Sequence, residues 1–269
     1  MRDYRHAWIT EWRACAAAFQ FLTRFPVNIQ LQYTDDLFRR SAVYYPLVGA
    51  AIGGLLALAG WLLGFVLPAA PAAVLVLGIW VAATGALHLD GLMDTADGLL
   101  SHRSRERMLE IMKDSRVGAM GVVAGVLLML LKGSLLLSLP LQSAAYGAAV
   151  MAAPLWSRAF VVWAIAGWPY AREGKGLGSL FAAVTRAEAW KATALAVAAG
   201  LLLFAAYGLS WGEAAAYALG LTVITGAVGY GLARAMAGKL GGLTGDTYGA
   251  LIELLECTAL LAAVVAASR

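Results

Sequence analysis

The amino-acid sequence predicts an all-α, polytopic integral membrane bundle of about seven transmembrane helices, preceded by an N-terminal interfacial amphipathic helix. Three observations carry that expectation. Of 269 residues, 61% are hydrophobic and 13% charged, against about 25% charged in an ordinary soluble domain, and mean hydropathy is +0.75. The apolar residues gather into about seven runs of the ~20 residues that a helix needs to cross a bilayer core. Finally, 17 of the 20 Lys and Arg fall on one set of alternating connections. By the positive-inside bias those connections face the cytoplasm.

Taken in order, the segment from Trp8 to Phe25 is apolar but interrupted by Glu11, Arg13 and Arg24. It reads as the interfacial helix rather than as a span or a cleaved signal peptide. The spans follow over roughly 43–67, 71–89, 118–139, 143–168, 190–208, 213–233 and 247–267. The short connections near Pro68, Pro140 and Trp211 carry no Lys or Arg, whereas the connection over 90–117 carries five and that over 169–191 four. No Pro/Ser-rich linker divides the chain, so residues 1–269 form one membrane-embedded domain. Small-residue stretches such as GAAIGG and YGAAVMAAP let membrane helices approach closely and serve packing. The pI near 9.1 needs no nucleic acid, since a basic inner face on anionic lipid, or a phosphorylated substrate, explains it. Cys15 and Cys257 sit in no CxxC or Cys/His cluster, so neither a disulfide nor a zinc site is expected.

The stretch HLDGLMDTADGLL, 88–100, stands out from this apolar background. At about 100° per residue, Asp90, Asp94 and Asp97 lie within roughly 60° of one another on a helix face, over about 10 Å. Three such carboxylates at a membrane boundary repel one another unless cations neutralise them, and hard oxygen ligands suit Mg²⁺ or Mn²⁺. A cap paired with nearby arginines would account for a single aspartate; three in phase favour the metal. Gly91 and Gly98 add backbone freedom, and His88 falls about 160° from Asp90, outside the ligand set.

Further units lie on the same face. In MKDSRVGAMG, 112–121, Lys113 and Arg116 stand beside Asp114 and Ser115, and Gly118 opens the next span with free backbone N–H groups, an arrangement suited to a diphosphate. Positive-inside charge with a helix cap explains this segment equally well. Between the two units, SRERMLEIMK reads as a short interfacial helix. In GKLGGLTGDTYGALIELLE, 238–256, Asp246 at the start of the last span caps that helix or adds a metal ligand. Glu253 and Glu256 lie deeper and must face the bundle interior, where Arg158 is a plausible partner for one of them, while Lys132 is expected to snorkel outward. The loop AREGKGLGSLF, 171–181, holds Arg172 and Lys175 and lacks the Walker pattern. Together these units fit metal-assisted transfer of a phosphoryl-linked group.

The motif order resembles the cobalamin synthase family, adenosylcobinamide-GDP ribazoletransferase. The resemblance rests on FLTRFPV (21–27), YYPLVGAAIG (44–53), DGLMDTADGL (90–99), IMKDSRVGAMG (111–121), Ser157-Arg158, GLGSLF (176–181) and GGLTGDTYGA (241–250). It implies a Mg²⁺-dependent transferase, with Mn²⁺ an acceptable substitute, joining adenosylcobinamide-GDP to alpha-ribazole or its 5′-phosphate with release of GMP. Asp90, Asp94 and Asp97, with Asp246 as a further ligand, would hold the metal. Asp114 would be a general base or would orient Lys113. Arg24, Lys113, Ser115, Arg116, Gly176, Gly178, Gly242 and Thr244 would bind substrate. The implied setting is the inner membrane of a bacterial or archaeal cell, with the site on the cytoplasmic face and homo-oligomerisation left open. CDP-alcohol phosphotransferases are less similar, because Gly91 is not followed by their x-x-A-R; UbiA-type prenyltransferases carry a second Asp-rich motif that is missing here. The rival of another class is a transporter with an acidic, cation-coupled vestibule, but its acids would surround broken helices at midplane.

Overall fold

The computed structural model describes residues 2–172 and 182–268, with side chains from Trp8 onward. Its described residues are helical: α1 Arg2–Leu22, α2 Asp35–Ala42, α3 Tyr45–Leu63, α4 Ala69–Thr84, α5 Leu87–Leu99, α6 Arg105–Ile111, α7 Ala119–Leu137, α8 Ala144–Gly167, α9 Arg186–Ala206, α10 Trp211–Leu240 and α11 Gly245–Ala267. Helix starts are marked by the residues that chemistry favours there. Thr34, Ser104, Ser143, Thr185, Ser210 and Thr244 each accept a backbone N–H of the first turn, which satisfies donors that a helix leaves free.

Six helices, α3, α7, α8, α9, α10 and α11, are long and apolar enough to cross a membrane, and the bent pair α4 and α5 brings the number to seven. Following the chain up and down, the connections after α1, α5, α8 and α10 share one end of the bundle with the N-terminus of α3. We call this the aspartate face. α1 stays outside the spans. It buries Ala14, Ala17 and Ala18 while Trp8, Ile9 and Trp12 are exposed, and Glu11 ties it to Arg40 and Tyr44. This division of one helix into a small packed side and an aromatic outer side is that of an interfacial helix.

α8 is the hub, buried along nearly its whole length. It meets α3 through Gly49 and Gly53, where a Cβ would fall 2.1 Å from the Pro154 carbonyl oxygen and 2.4 Å from the Met151 Cα. The GAAIGG stretch therefore does what small residues four apart do in membranes: it brings two backbones into contact.

Two expectations are corrected. The run over 71–89 is not one helix, because Gly85 and Ala86 adopt left-handed conformations, φ 62° and 59°, and α5 leaves α4 at 88°. Glycine pays nothing for that backbone, whereas Ala86 pays about 1–2 kcal/mol. Hydropathy cannot register the break, since it does not depend on φ. Arg24 packs against this corner, its backbone N–H donating to the Ala83 carbonyl at 2.8 Å.

The second correction is Lys132, which does not snorkel. It is 1% exposed and donates to Glu253 at 2.5 Å and Glu256 at 2.6 Å, with its ammonium 4.4 Å from the centre of the Trp80 ring. Arg158 is the expected partner of an acid, and Glu256 is that acid. The reason is charge balance: two carboxylates that far from water need two cations, and one arginine leaves the pair a charge short.

Candidate active site

The aspartate motif lies on α5 where that helix crosses the first turns of α11. The crossing is tight because glycines line it. A Cβ on Gly91 would lie 2.7 Å from the Asp246 carbonyl oxygen, and one on Gly249 would lie 3.1 Å from that of His88. Gly91 therefore serves close approach rather than backbone freedom, as does Gly98, which packs under Met112. His88 points away from the aspartates, as its phase predicts, and lies buried near Arg158.

Asp90 is exposed and Asp94 half-buried. Asp94 is repelled by Asp90, Asp246 and Asp97 and attracted by Arg172. Asp246, in the first turn of α11, turns its carboxylate to Arg172 and accepts from the Thr244 hydroxyl at 3.4 Å. It does not cap its helix; Thr244 does. Among the described residues no three His, Cys, Asp or Glu side chains converge closely enough to hold a metal ion in this arrangement. The physical reason is visible in two of the four predicted ligands, which already have partners.

One of these is Asp97, whose two oxygens accept the backbone N–H groups of Gly118 and Gly121, each at 2.7 Å. Two of the free amides expected at the start of α7 are therefore taken, and the carboxylate fastens the 112–118 loop to α5. Both glycines are required by this approach, since a Cβ on either would fall within 2.5 Å of an Asp97 oxygen.

Within that loop, Asp114 clasps Arg116 rather than Lys113. Arg116 donates through Nε at 3.0 Å, Nη2 at 2.7 Å and its backbone N–H at 3.0 Å. The guanidinium holds the Asp114 carboxyl down at about 2, so it is a weak proton acceptor near neutral pH. Lys113, Ser115 and Arg116 are all exposed.

The remaining predicted residues divide by position. Arg24 is exposed at the α4–α5 corner. Thr244 is fully buried as the α11 cap. Gly242 lets backbones meet: a Cβ there would stand 2.3 Å from the Pro169 carbonyl oxygen, and next to it Leu243 pairs with Tyr170, its carbonyl accepting from the Ala171 N–H at 2.7 Å and its N–H donating to the Pro169 carbonyl at 2.9 Å. Gly176 and Gly178 lie outside the described residues.

The sequence reading missed the importance of Arg172 and Arg105. The Tyr170–Leu243 bridge delivers Arg172 to Asp246, and Arg172 also donates to the Met112 carbonyl at 3.2 Å. Arg105, from α6, donates Nε to the Leu240 carbonyl at 2.7 Å and so closes the end of α10. In the sequence Arg172 belongs to the loop AREGKGLGSLF and Arg105 to the short helix SRERMLEIMK; no local pattern marks their partners, which lie 74 and 135 residues away.

Chemically, among the described residues, Asp94 and Asp246 share one guanidinium, with Asp90 repelling both. Hard oxygen donors with too little positive charge between them have the composition of a divalent-cation site completed by substrate phosphates. Exposed cations at Lys113 and Arg116 stand on the same face, where an anion would add to it.

Comparison with known proteins follows the same lines. The family described as cobalamin-5-phosphate synthase matches residues 14–264. An adenosylcobinamide-GDP ribazoletransferase of Desulfitobacterium hafniense is 42% identical over 98% of this chain and 98% of its own. The one from Stutzerimonas stutzeri is 44% identical over 94% of this chain and 98% of its own, and that of Pseudomonas aeruginosa 42% over 93% and 97%. No solved structure matches.

Proposed function

The chain belongs to the cobalamin-5-phosphate synthase family, and we propose that it joins adenosylcobinamide-GDP to alpha-ribazole, or to alpha-ribazole 5′-phosphate, with release of GMP. The ribose hydroxyl oxygen forms a bond to the phosphorus on the cobinamide side, and the bond from that phosphorus to the bridging oxygen breaks. GMP leaves with the electron pair, and the hydroxyl proton passes to a base or to water. The product is adenosylcobalamin or its 5′-phosphate.

The observation that carries this reading is the crowding of carboxylates at the α5–α11 crossing, where Asp94 is repelled by Asp90 and Asp246 and, among the described residues, Arg172 is the cation that reaches Asp94 and Asp246. These three aspartates would hold Mg²⁺, or Mn²⁺ in its place. Bound there, a divalent ion neutralises the diphosphate and stabilises the leaving phosphate. Asp97 supports them from behind by fixing the 112–118 loop. Lys113, Ser115 and Arg116 on that loop, and Arg24 at the corner of α5, would meet phosphate oxygens. The segregation of Lys and Arg supports placing this face in the cytoplasm, at the inner membrane. A transporter reading finds no support in the interior charges, because Lys132, Arg158, Glu253 and Glu256 neutralise one another.

The test uses purified protein in liposomes with adenosylcobinamide-GDP, alpha-ribazole and Mg²⁺, following cobamide formation chromatographically. Asp94→Asn should lower turnover by at least ~10³-fold, comparable to losing a main electrostatic contact to the transition state, while insertion and folding persist. Undiminished turnover in that variant would remove the metal assignment.

A further inference from the structure

Arg172 occupies a place that a cofactor-dependent phosphoryl-transfer site needs to vacate. Its guanidinium is held by the Asp246 carboxylate and the Met112 carbonyl, and it is the cation that acts on Asp94. Its side chain is 18% exposed. Its Nε is buried and has no hydrogen-bond partner among the described residues. A guanidinium offers five donors in a planar fork that matches phosphate, so most of its capacity is unspent among the described residues. Meanwhile Met112 begins the segment that carries Lys113, Ser115 and Arg116, so Arg172 already reaches toward the loop assigned to the diphosphate.

We infer that Arg172 is the resident counter-cation of the aspartate crossing and a diphosphate ligand in waiting, exchanged from Asp246 to the substrate when a divalent ion takes its place. This rests on the metal reading given above. The exchange keeps charge balanced at both steps. Without metal, the guanidinium offsets part of the repulsion among Asp90, Asp94 and Asp246. With metal, Asp246 gains a stronger partner, and the released guanidinium turns its free donors to the diphosphate that arrives with the ion. Burying an unpaired guanidinium is costly, which couples its release to the anion.

The inference predicts opposite signs for two affinities, which a merely structural arginine would not give. In the full-length protein in nanodiscs, Mn²⁺ binding is followed by electron paramagnetic resonance without nucleotide, and GDP binding is then measured at saturating Mn²⁺. Arg172→Ala removes a competitor, so Mn²⁺ alone should bind several-fold tighter than in the wild type. The same variant should bind GDP about tenfold more weakly, the equivalent of one lost contact. Arg172→Lys should fall between, as a point charge without the fork. Arg172→Gln, which retains a donor for the Met112 carbonyl, separates the exchange from loop positioning and should repeat the Mn²⁺ gain. Weaker or unchanged Mn²⁺ binding in both the alanine and the glutamine variants overturns the exchange. If that happens while wild-type protein binds Mn²⁺ and Asp94→Asn does not, the metal reading stands and the Arg172 exchange alone is overturned. If the wild type binds no Mn²⁺, the metal reading falls with it.

Discussion

α11 carries two groups of acids that the protein treats in opposite ways. Near its buried middle, Glu253 and Glu256 are matched by Lys132 and Arg158, two charges against two, with every member at most 5% exposed. In its first turn, Asp246 joins Asp90 and Asp94, with Arg172 the cation that reaches Asp94 and Asp246 among the described residues, at a face open to water. The deep group is balanced in charge, whereas the outer group, among the described residues, is short of positive charge. A closed cluster of balanced charge has no net charge to offer a ligand and fixes three helices, α7, α8 and α11, against one another. An unbalanced one is costly to keep and gains from binding a cation, which is the pattern of functional sites.

The largest expected effect comes from unbalancing the deep cluster. Glu256→Gln leaves Lys132 and Arg158 facing Glu253 alone, and an uncompensated buried charge costs ~3–5 kcal/mol. The variant should therefore melt well below the wild type in detergent. Pairing it with Arg158→Met should recover much of the loss. If Glu256→Gln kept its melting temperature and lost only turnover, the deep cluster would belong to the reaction and the contrast would be inverted.

Asp97→Asn sharpens the boundary of the outer group. Asparagine presents one acceptor oxygen where the carboxylate serves two backbone amides, a loss of about 1–2 kcal/mol. The expected readout is a raised KM for adenosylcobinamide-GDP with Mn²⁺ affinity unchanged, because the 112–118 loop loosens while the ligands stay. Loss of Mn²⁺ binding equal to that of Asp94→Asn would return Asp97 to the ligand set.

The smallest effect concerns pH. The folded Asp114 carboxyl sits at about 2, below its ordinary 3.8, held there by Arg116. A depressed carboxyl contributes fully above its unfolded value and loses its contribution as pH falls through the folded one. Between about pH 5 and 8 the clasp should therefore remain intact. A fluorophore attached at Ser115 should report no titration in that window, and a transition there would show that Asp114 is not clasped.

Much of this was legible in the chain and some was not, for reasons that individual residues make plain. The phase of Asp90 and Asp94 put them on one face because helical periodicity is local, and His88 fell on the other for the same reason. GAAIGG announced a close helix contact, and α3 packs on α8 there. The corner at Gly85 and Ala86 escaped notice because a left-handed backbone leaves no trace in an apolar run. Lys132 was misplaced because a lysine amid leucines looks the same whether it reaches outward or meets two glutamates more than 120 residues away.

Composition, periodicity and charge segregation determined the membrane bundle, the outer helix, the common face of the motifs and which acids are candidates for the site, since each depends only on neighbours in sequence. Tertiary structure decided which charges neutralise which: Lys132 and Arg158 with the deep glutamates, Asp97 with the α7 amides, and Arg172 among the outer aspartates. Electrostatic energy depends on separation in space and on exposure to water, and both are set only when distant helices meet.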